Sequence, residues 1–330
     1  MPYTGSLRDI YGRKFPYLRL SLTDVCNFRC QYCLPGGYRN EFGKIFLKHT
    51  EIYNLITAFT AIGLRKVRLT GGEPTVRKDF LSIGNSIATF KSVEELVFTT
   101  NGYTLETIAY ECVRNCFTGV NVSVDSLDGN MFRIITGRDC LKKIIYGVDC
   151  ALSVGLKTKV NVVLLNCFTC KNFDEYIDFV SSRSISVRFI ELTGVTGTLD
   201  FFKNNYTSSL FLKNYLLSLG WRKRKCSKTD GPAVEYEHED YKGFLGFISS
   251  YSSDFCLSCN RLRISSIGSM YLCLFGSTKK VITLRHLLQS STKKLELINY
   301  IKENVLSKGL SHSLLQGNLG SVVKLSEIGG

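Results

Sequence analysis

The 330-residue chain has no stretch approaching the ~18 consecutive apolar residues that a membrane helix needs, so no spanning segment is expected. Its opening, Met1-Pro-Tyr-Thr-Gly-Ser, lacks the apolar core of an export signal, which argues for a cytoplasmic protein. Internal repeats and low-complexity blocks are absent as well. Acidic residues are scarce relative to basic ones, 28 against 42, a formal charge of +14. Such a surplus attracts polyanions, although a solvated basic surface accounts for it equally well. Apolar residues make up 44% of the chain, enough for a sizeable core and too many for general disorder. The length suits two domains, or one large α/β unit with an appendage.

Cysteine is what the chain does have, 13 in all. The odd number, the chain length and the missing export signal exclude a disulfide scaffold. Reduced thiols then point to metal binding or redox chemistry, and their spacing must decide.

Residues 18–200 alternate between β-branched runs and segments of helical periodicity. Strands are expected at Leu18–Thr23, Lys66–Thr70, Leu96–Thr100, Val120–Val124, Thr158–Leu165 and Val187–Leu192. Between them, Thr50–Ile62 places Ile52, Leu55, Ile56, Phe59 and Ile62 on one face, with Thr50 as its expected cap. Asp79–Phe90, Leu105–Asn115, Leu141–Val154 and Asn172–Ser182 read as helices too. Strict alternation means βαβ units and a parallel sheet, either an open partial barrel or a doubly wound sheet. In both, ligands bind at the carboxyl ends of the strands. Asp24–Cys33, Gly71-Gly-Glu-Pro74, Asn101-Gly102 and Ser123–Asp125 all follow expected strand ends. From about residue 200 the texture changes, with one helical stretch in Phe201–Trp221, a loop at Arg222–Lys225, short strands and later helices. The expected division is therefore 1–200 and 201–330.

Cys26, Cys30 and Cys33 form a C-x3-C-x2-C triad directly after the first strand. Three thiolates within eight residues can wrap one face of a metal cluster. A structural zinc site or a cubane iron–sulfur cluster usually takes four protein ligands. A triad leaves a coordination position open. Cys256, Cys259 and Cys273 make a second set of three, for which zinc with His238 or His286 as fourth ligand is the alternative. Cys112, Cys116 and Cys150 fall on expected helices and read as core, while Cys167-Phe-Thr-Cys170 is a weaker candidate pair.

The first triad with Gly-Gly-Glu-Pro at the end of the second strand resembles the radical S-adenosylmethionine superfamily. The second triad, Asn260-Arg-Leu-Arg263, Leu18-Arg-Leu-Ser-Leu-Thr-Asp24 and the terminal Gly329-Gly330 narrow the resemblance to the GTP 3′,8-cyclase family of molybdenum cofactor biosynthesis. The resemblance runs from about residue 8 to about 275 and resumes at the last three residues. Residues 279–327 match that pattern poorly.

This resemblance implies an incomplete (β/α)6 TIM-type barrel whose mouth is closed by a carboxyl-terminal α+β region. It implies two [4Fe-4S] clusters, the first on Cys26, Cys30 and Cys33 and the second on Cys256, Cys259 and Cys273. S-adenosylmethionine would lie against Tyr32, Gly72, Glu73, Ser123 and Thr193. GTP would meet Arg19, Arg68, Thr99, Lys159, Arg261, Leu262 (through its backbone) and Arg263. A cofactor-derived radical would take hydrogen from C3′ of the ribose, and the sugar radical would close on C8 of guanine. No side chain is singled out as an acid or base. Implied partners are an electron donor such as flavodoxin or ferredoxin, the downstream cyclic pyranopterin monophosphate synthase and a second copy in a homodimer. Neither nucleic acid nor membrane is expected. Two other readings remain at this point. One is a radical S-adenosylmethionine enzyme acting on a peptide. The other is a zinc-bearing nucleic-acid-binding module, which leaves Gly-Gly-Glu-Pro unexplained.

Overall fold

A computed structural model describes residues 5–39, 43–166, 172–194, 198–225, 231–275, 281–311 and 325–328. Cys167, Cys170, Cys226 and Gly329-Gly330 lie outside the described residues. Six strands follow the expected runs within a residue or two: β1 (Tyr17–Ser21), β2 (Lys66–Thr70), β3 (Glu95–Thr100), β4 (Gly119–Ser123), β5 (Lys157–Leu164) and β6 (Ser186–Glu191). They pair in chain order, each parallel to the next. Because the order never reverses, there is no topological switch point, which removes the doubly wound alternative.

Six further strands join the same sheet: β7 (Arg222–Lys223), β8 (Val234–Glu237), β9 (Phe244–Ile248), β10 (Arg261–Ile264), β11 (Ser269–Tyr271) and β12 (Ile282–Thr283). The order is β12-β11-β10-β1-β2-β3-β4-β5-β6-β9-β8-β7. β9 lies parallel to β6 and β10 parallel to β1, so the later chain extends both edges of the earlier sheet. Arg222–Lys223 is thus an edge strand rather than a loop.

Side chains alternate across every strand. On β1, Leu18 and Leu20 are fully buried against the helical layer, while Tyr17 and Arg19 face the other way. The helix His49–Ala61 contributes Ile52, Leu55, Ile56 and Phe59 to that layer. Its cap is not Thr50, which lies within the helix. Lys48 precedes the first turn, and Glu51 reaches back to accept its N–H at 2.7 Å. Burial of such aliphatic side chains contributes roughly 1.5–3 kcal/mol each. The helix Gly129–Thr136 was not expected from the sequence; Asp128 caps it by accepting from Met131 N at 2.7 Å. Phe201–Trp221 holds two helices, Leu199–Asn205 and Leu210–Ser218, rather than one.

Candidate active site

The inward face of the sheet surrounds a cavity of about 310 Å³. Strand register assembles its wall in rows. Arg263 on β10, Arg19 on β1 and Arg68 on β2 are direct neighbours. Thr99 on β3, Asn121 on β4 and Lys159 on β5 make a second row. Ser123, Asn161 and Arg188 make a third across β4, β5 and β6.

All six cysteines of the two triads line this one cavity. So do Tyr32, Gly72, Ser123 and Thr193 among the residues expected at the cofactor. Arg19, Arg68, Thr99, Lys159, Arg261 and Arg263 line it as well. Two expected residues do not. The Leu262 side chain is fully buried in the core on the far face of β10, as alternation dictates. Glu73 is sealed behind the wall at 1% exposure. Its carboxylate accepts from Thr75 Oγ1 at 2.7 Å, Thr100 Oγ1 at 2.8 Å and Asn101 N at 2.6 Å, which ties the end of β2 to the end of β3. Burial raises its pKa against those bonds, and its charge is felt at Cys26.

The Gly71-Gly72 pair has a packing reason that the sequence alone did not give. Gly71 has φ +139°, and a Cβ there would meet Thr23 O at 2.2 Å. A Cβ on Gly72 would meet Val25 O at 2.4 Å. Without side chains, Gly72 N can donate to Thr23 O and Glu73 N to Val25 O, each at 2.8 Å. The loop carrying the first triad is thereby pinned to the end of β2.

The two triads sit in opposite electrostatic settings. Burial pushes the Cys26 thiol up to about 11 and Cys33 up to about 12. Burial and then Asp125 drive Cys30 well above its ordinary value. Asp125 itself is raised to about 6 by burial, although it accepts from Tyr32 Oη at 2.8 Å and Val163 N at 2.9 Å. At the second triad, burial of Cys259 is outweighed by Lys308, Arg261 and Arg13, and the thiol falls below its ordinary value. Cations crowd that end. Burial and the neighbouring Arg263 pull Arg19 well below its ordinary value, and Arg263 falls to about 10 through burial and Arg261. Tyr17 is lowered despite its burial because Arg68, Arg19, Lys66 and Arg261 surround it. Buried polar atoms without a hydrogen-bond partner include Arg68 Nε, Thr99 Oγ1 and Asn161 Oδ1. Such groups are costly unless a ligand satisfies them.

The donor sets, three thiols from each triad lining one cavity, suit a cluster that keeps one corner open. A cubane spreads its ligands around several corners. Phe28 N donates to Cys26 Sγ at 3.5 Å and Phe275 N to Cys273 Sγ at 3.4 Å.

The helix Leu325–Ile328 closes against both ends of the cavity. Leu325 and Ser326 line it, a Ser326 backbone group bonds Cys33, and Ile328 O accepts from Arg263 Nη1 at 3.2 Å. Lys44 Nζ clamps this helix by bridging Asp24 Oδ2 and Glu327 Oε1, both at 2.9 Å.

Several wall residues escaped the sequence reading: Tyr17, Lys66, Asn121, Asn161 and Arg188. The first four lie two positions from a residue already singled out, so strand alternation carried the signal. Arg188 had no such marker. It is buried against Glu235 of β8 at 2.6 Å, a pairing visible only in three dimensions.

Residues 20–180 match the Radical SAM superfamily, and residues 185–314 match Molybdenum Cofactor Synthesis C. A GTP 3′,8-cyclase of Psychromonas ingrahamii is 44% identical over 325 residues, covering 98% of this chain and 95% of that protein. One of Yersinia pestis is 44% identical over 327 residues, covering 98% and 99%. The stretch expected to match poorly, 279–327, is thus largely inside the second family match and within near-full-length alignments. Among solved structures, Streptococcus suis SuiB bound to precursor peptide SuiA superposes with TM-score 0.61 at 15% identity, covering 89% of this chain and 67% of that one. Native anSMEcpe with bound AdoMet and Cp18Cys peptide gives TM-score 0.55 at 16% identity, covering 88% and 83%. At such identities the likeness is one of fold alone.

Proposed function

The chain belongs to the GTP 3′,8-cyclase family of radical S-adenosylmethionine enzymes, and from that premise we propose how its cavity carries out the family's reaction. The reaction is conversion of GTP to (8S)-3′,8-cyclo-7,8-dihydroguanosine 5′-triphosphate, the first step of molybdenum cofactor synthesis. In this reading Cys26, Cys30 and Cys33 hold one [4Fe-4S] cluster, and Cys256, Cys259 and Cys273 hold a second. When bound there, the first cluster and S-adenosylmethionine would supply radical chemistry directed at C3′ of the ribose.

The protein's own part is to bind, orient and exclude. Tyr32, held by Asp125, and Gly72, Ser123 and Thr193 form the cofactor end. Asp125 supplies negative charge where a sulfonium and an ammonium group must sit. Arg19, Arg68 and Arg263, with Lys159 and Arg261, take the triphosphate, whose charge relieves their mutual repulsion. Thr99 and the Leu262 backbone flank it. The strands then curve as an incomplete (β/α)6 barrel, with the region after residue 200 and the helix Leu325–Ile328 shutting out water. A one-electron donor of the flavodoxin or ferredoxin kind, a homodimer and a downstream cyclic pyranopterin monophosphate synthase complete the proposal.

The observation that carries it is that both incomplete triads open onto one cavity, with carboxylate at one end and clustered guanidinium groups at the other. The test is anaerobic reconstitution with iron and sulfide, then assay with S-adenosylmethionine, reductant and GTP. About eight irons per chain and GTP-dependent release of 5′-deoxyadenosine are expected. Zinc alone, or cofactor cleavage indifferent to GTP, would refute it.

A further inference from the structure

The cavity side of the first triad is where substrates meet it; the other side of the same loop faces solvent and is lined with cations. Three of them cluster around loop residues 27–29, one by a direct hydrogen bond, one through an intervening ring and one from within the loop. Arg138 Nε donates to the carbonyl of Asn27 at 2.9 Å. Lys143 Nζ lies 4.3 Å above the ring of Tyr103, which packs edge-on against Phe28 at 6.3 Å. Arg29, exposed between Cys26 and Cys30, belongs to the loop itself. The loop is sewn to the end of the helix Gly129–Thr136 by Arg29 N to Thr136 O and Gln31 N to Ile135 O, each at 3.0 Å. The cations and the cysteine loop therefore form one connected surface.

The charge there is one-sided. Residues 27–39 contain two arginines and no carboxylate, and residues 129–143 contain four Lys or Arg against one carboxylate, Asp139. Apolar surface lies among them, with Ile134 46% and Tyr103 38% exposed. A cationic rim with exposed apolar side chains is suited to a transient partner of opposite charge. Sulfonium cleavage in the proposed function consumes an electron that the cavity itself does not supply. We propose that this face, centred on Arg29, Arg138 and Lys143, is the docking surface for an acidic one-electron carrier protein. The carrier loses one electron and the cluster on Cys26, Cys30 and Cys33 gains one; no atom is transferred. This rests on the cluster assignment of the proposed function.

The test compares two reductants on the reconstituted holoenzyme. Reduction of the cluster is followed by stopped-flow absorbance, first with reduced flavodoxin of net negative charge, then with photoreduced 5-deazariboflavin. Arg29→Glu and Arg138→Glu should each slow reduction by flavodoxin about 10-fold or more, the scale on which charge steers protein encounters. They should also flatten its salt dependence, and leave reduction by deazariboflavin and product yield unchanged. Equal losses with both reductants would overturn the proposal, as would no loss with flavodoxin. A change from dimer to monomer by sedimentation would also overturn it, by making this face a self-contact. If a glutamate variant loses iron or folds poorly, Arg29→Gln and Lys143→Gln carry the same comparison. Wild-type enzyme that takes an electron from flavodoxin but makes no GTP-dependent product would refute the catalytic reading while leaving the docking face standing.

Discussion

The two cysteine triads share a cavity and a ligand count, yet their surroundings differ in sign. Around Cys26, Cys30 and Cys33 the charges are Glu73 and Asp125, and they add to burial, the larger cause, in pushing all three thiols up. Around Cys259 they are Lys308, Arg261 and Arg13, and the thiol is pulled down. The difference teaches that the cavity is polarised along its length. One end suits a cation and the other a polyanion, which is the division that the proposed cofactor and substrate ends require.

The largest effect should come from breaking the symmetry of the thiols themselves. Cys30→Ser should abolish reductive cleavage of S-adenosylmethionine altogether. Cys256→Ser should leave cleavage competence and remove cyclised product. Measuring 5′-deoxyadenosine and product side by side separates the two. If Cys256→Ser also abolished cleavage, the triads would not be divided in function.

Removing one cation from the polyanion end comes next. Arg263→Ala should raise the KM for GTP about 10- to 100-fold, from the ~1.5–3 kcal/mol of a charge-assisted hydrogen bond. Affinity for S-adenosylmethionine should hardly move. Equal weakening of both ligands, measured by titration, would mean that the polarity has no bearing on which ligand binds where.

The clamp joining the two ends should show a smaller effect. Lys44→Met leaves Asp24, 3% exposed, with Ser266 Oγ as its remaining side-chain partner at 2.5 Å. Stability should drop by about 1–3 kcal/mol, and hydrogen exchange of the Leu325–Ile328 amides should quicken. Unchanged exchange would show that Lys44 does not hold the helix.

The smallest effect is on pH dependence. Burial of Glu235 is outweighed by Arg188 and Ser186, so its pKa lies below the ordinary glutamate value of 4.5. Between those two values the folded state binds fewer protons than the unfolded state, so this contribution is full above about pH 4.5 and lost as the pH falls further. Glu235→Gln should flatten the acid side of the stability profile, as read by thermal unfolding from pH 3 to 7. An unaltered acid limb would show that Arg188 gains no stability from its partner.

Much of this was legible from the chain. The six parallel strands appear where β-branched runs place them, because each strand needs apolar side chains on the face that packs against the helices. The triads stood out by spacing; the cation set followed from the family resemblance, with Arg19 and Arg68 marked as well by their place within strands. Less legible were Arg188, whose partner Glu235 lies on a strand of the later region, and the helix Gly129–Thr136, which is amphipathic but only eight residues long. Glu73 was expected to supply negative charge near the cofactor; its charge does reach Cys26, and its carboxylate also fastens two loops behind the wall.

By itself the sequence determined the chemistry on offer: two incomplete thiolate sets, a run of inward arginines and a parallel α/β frame, since period and spacing are local properties. Only the tertiary structure decided that the two sets share a cavity, that β10 carries its arginines beside Arg19, and that the helix Leu325–Ile328 reaches both ends. Most of those contacts join residues more than two hundred positions apart, and Arg263 and Ile328 are 65 apart. Burial and sheet register, rather than any short-range pattern, bring them together.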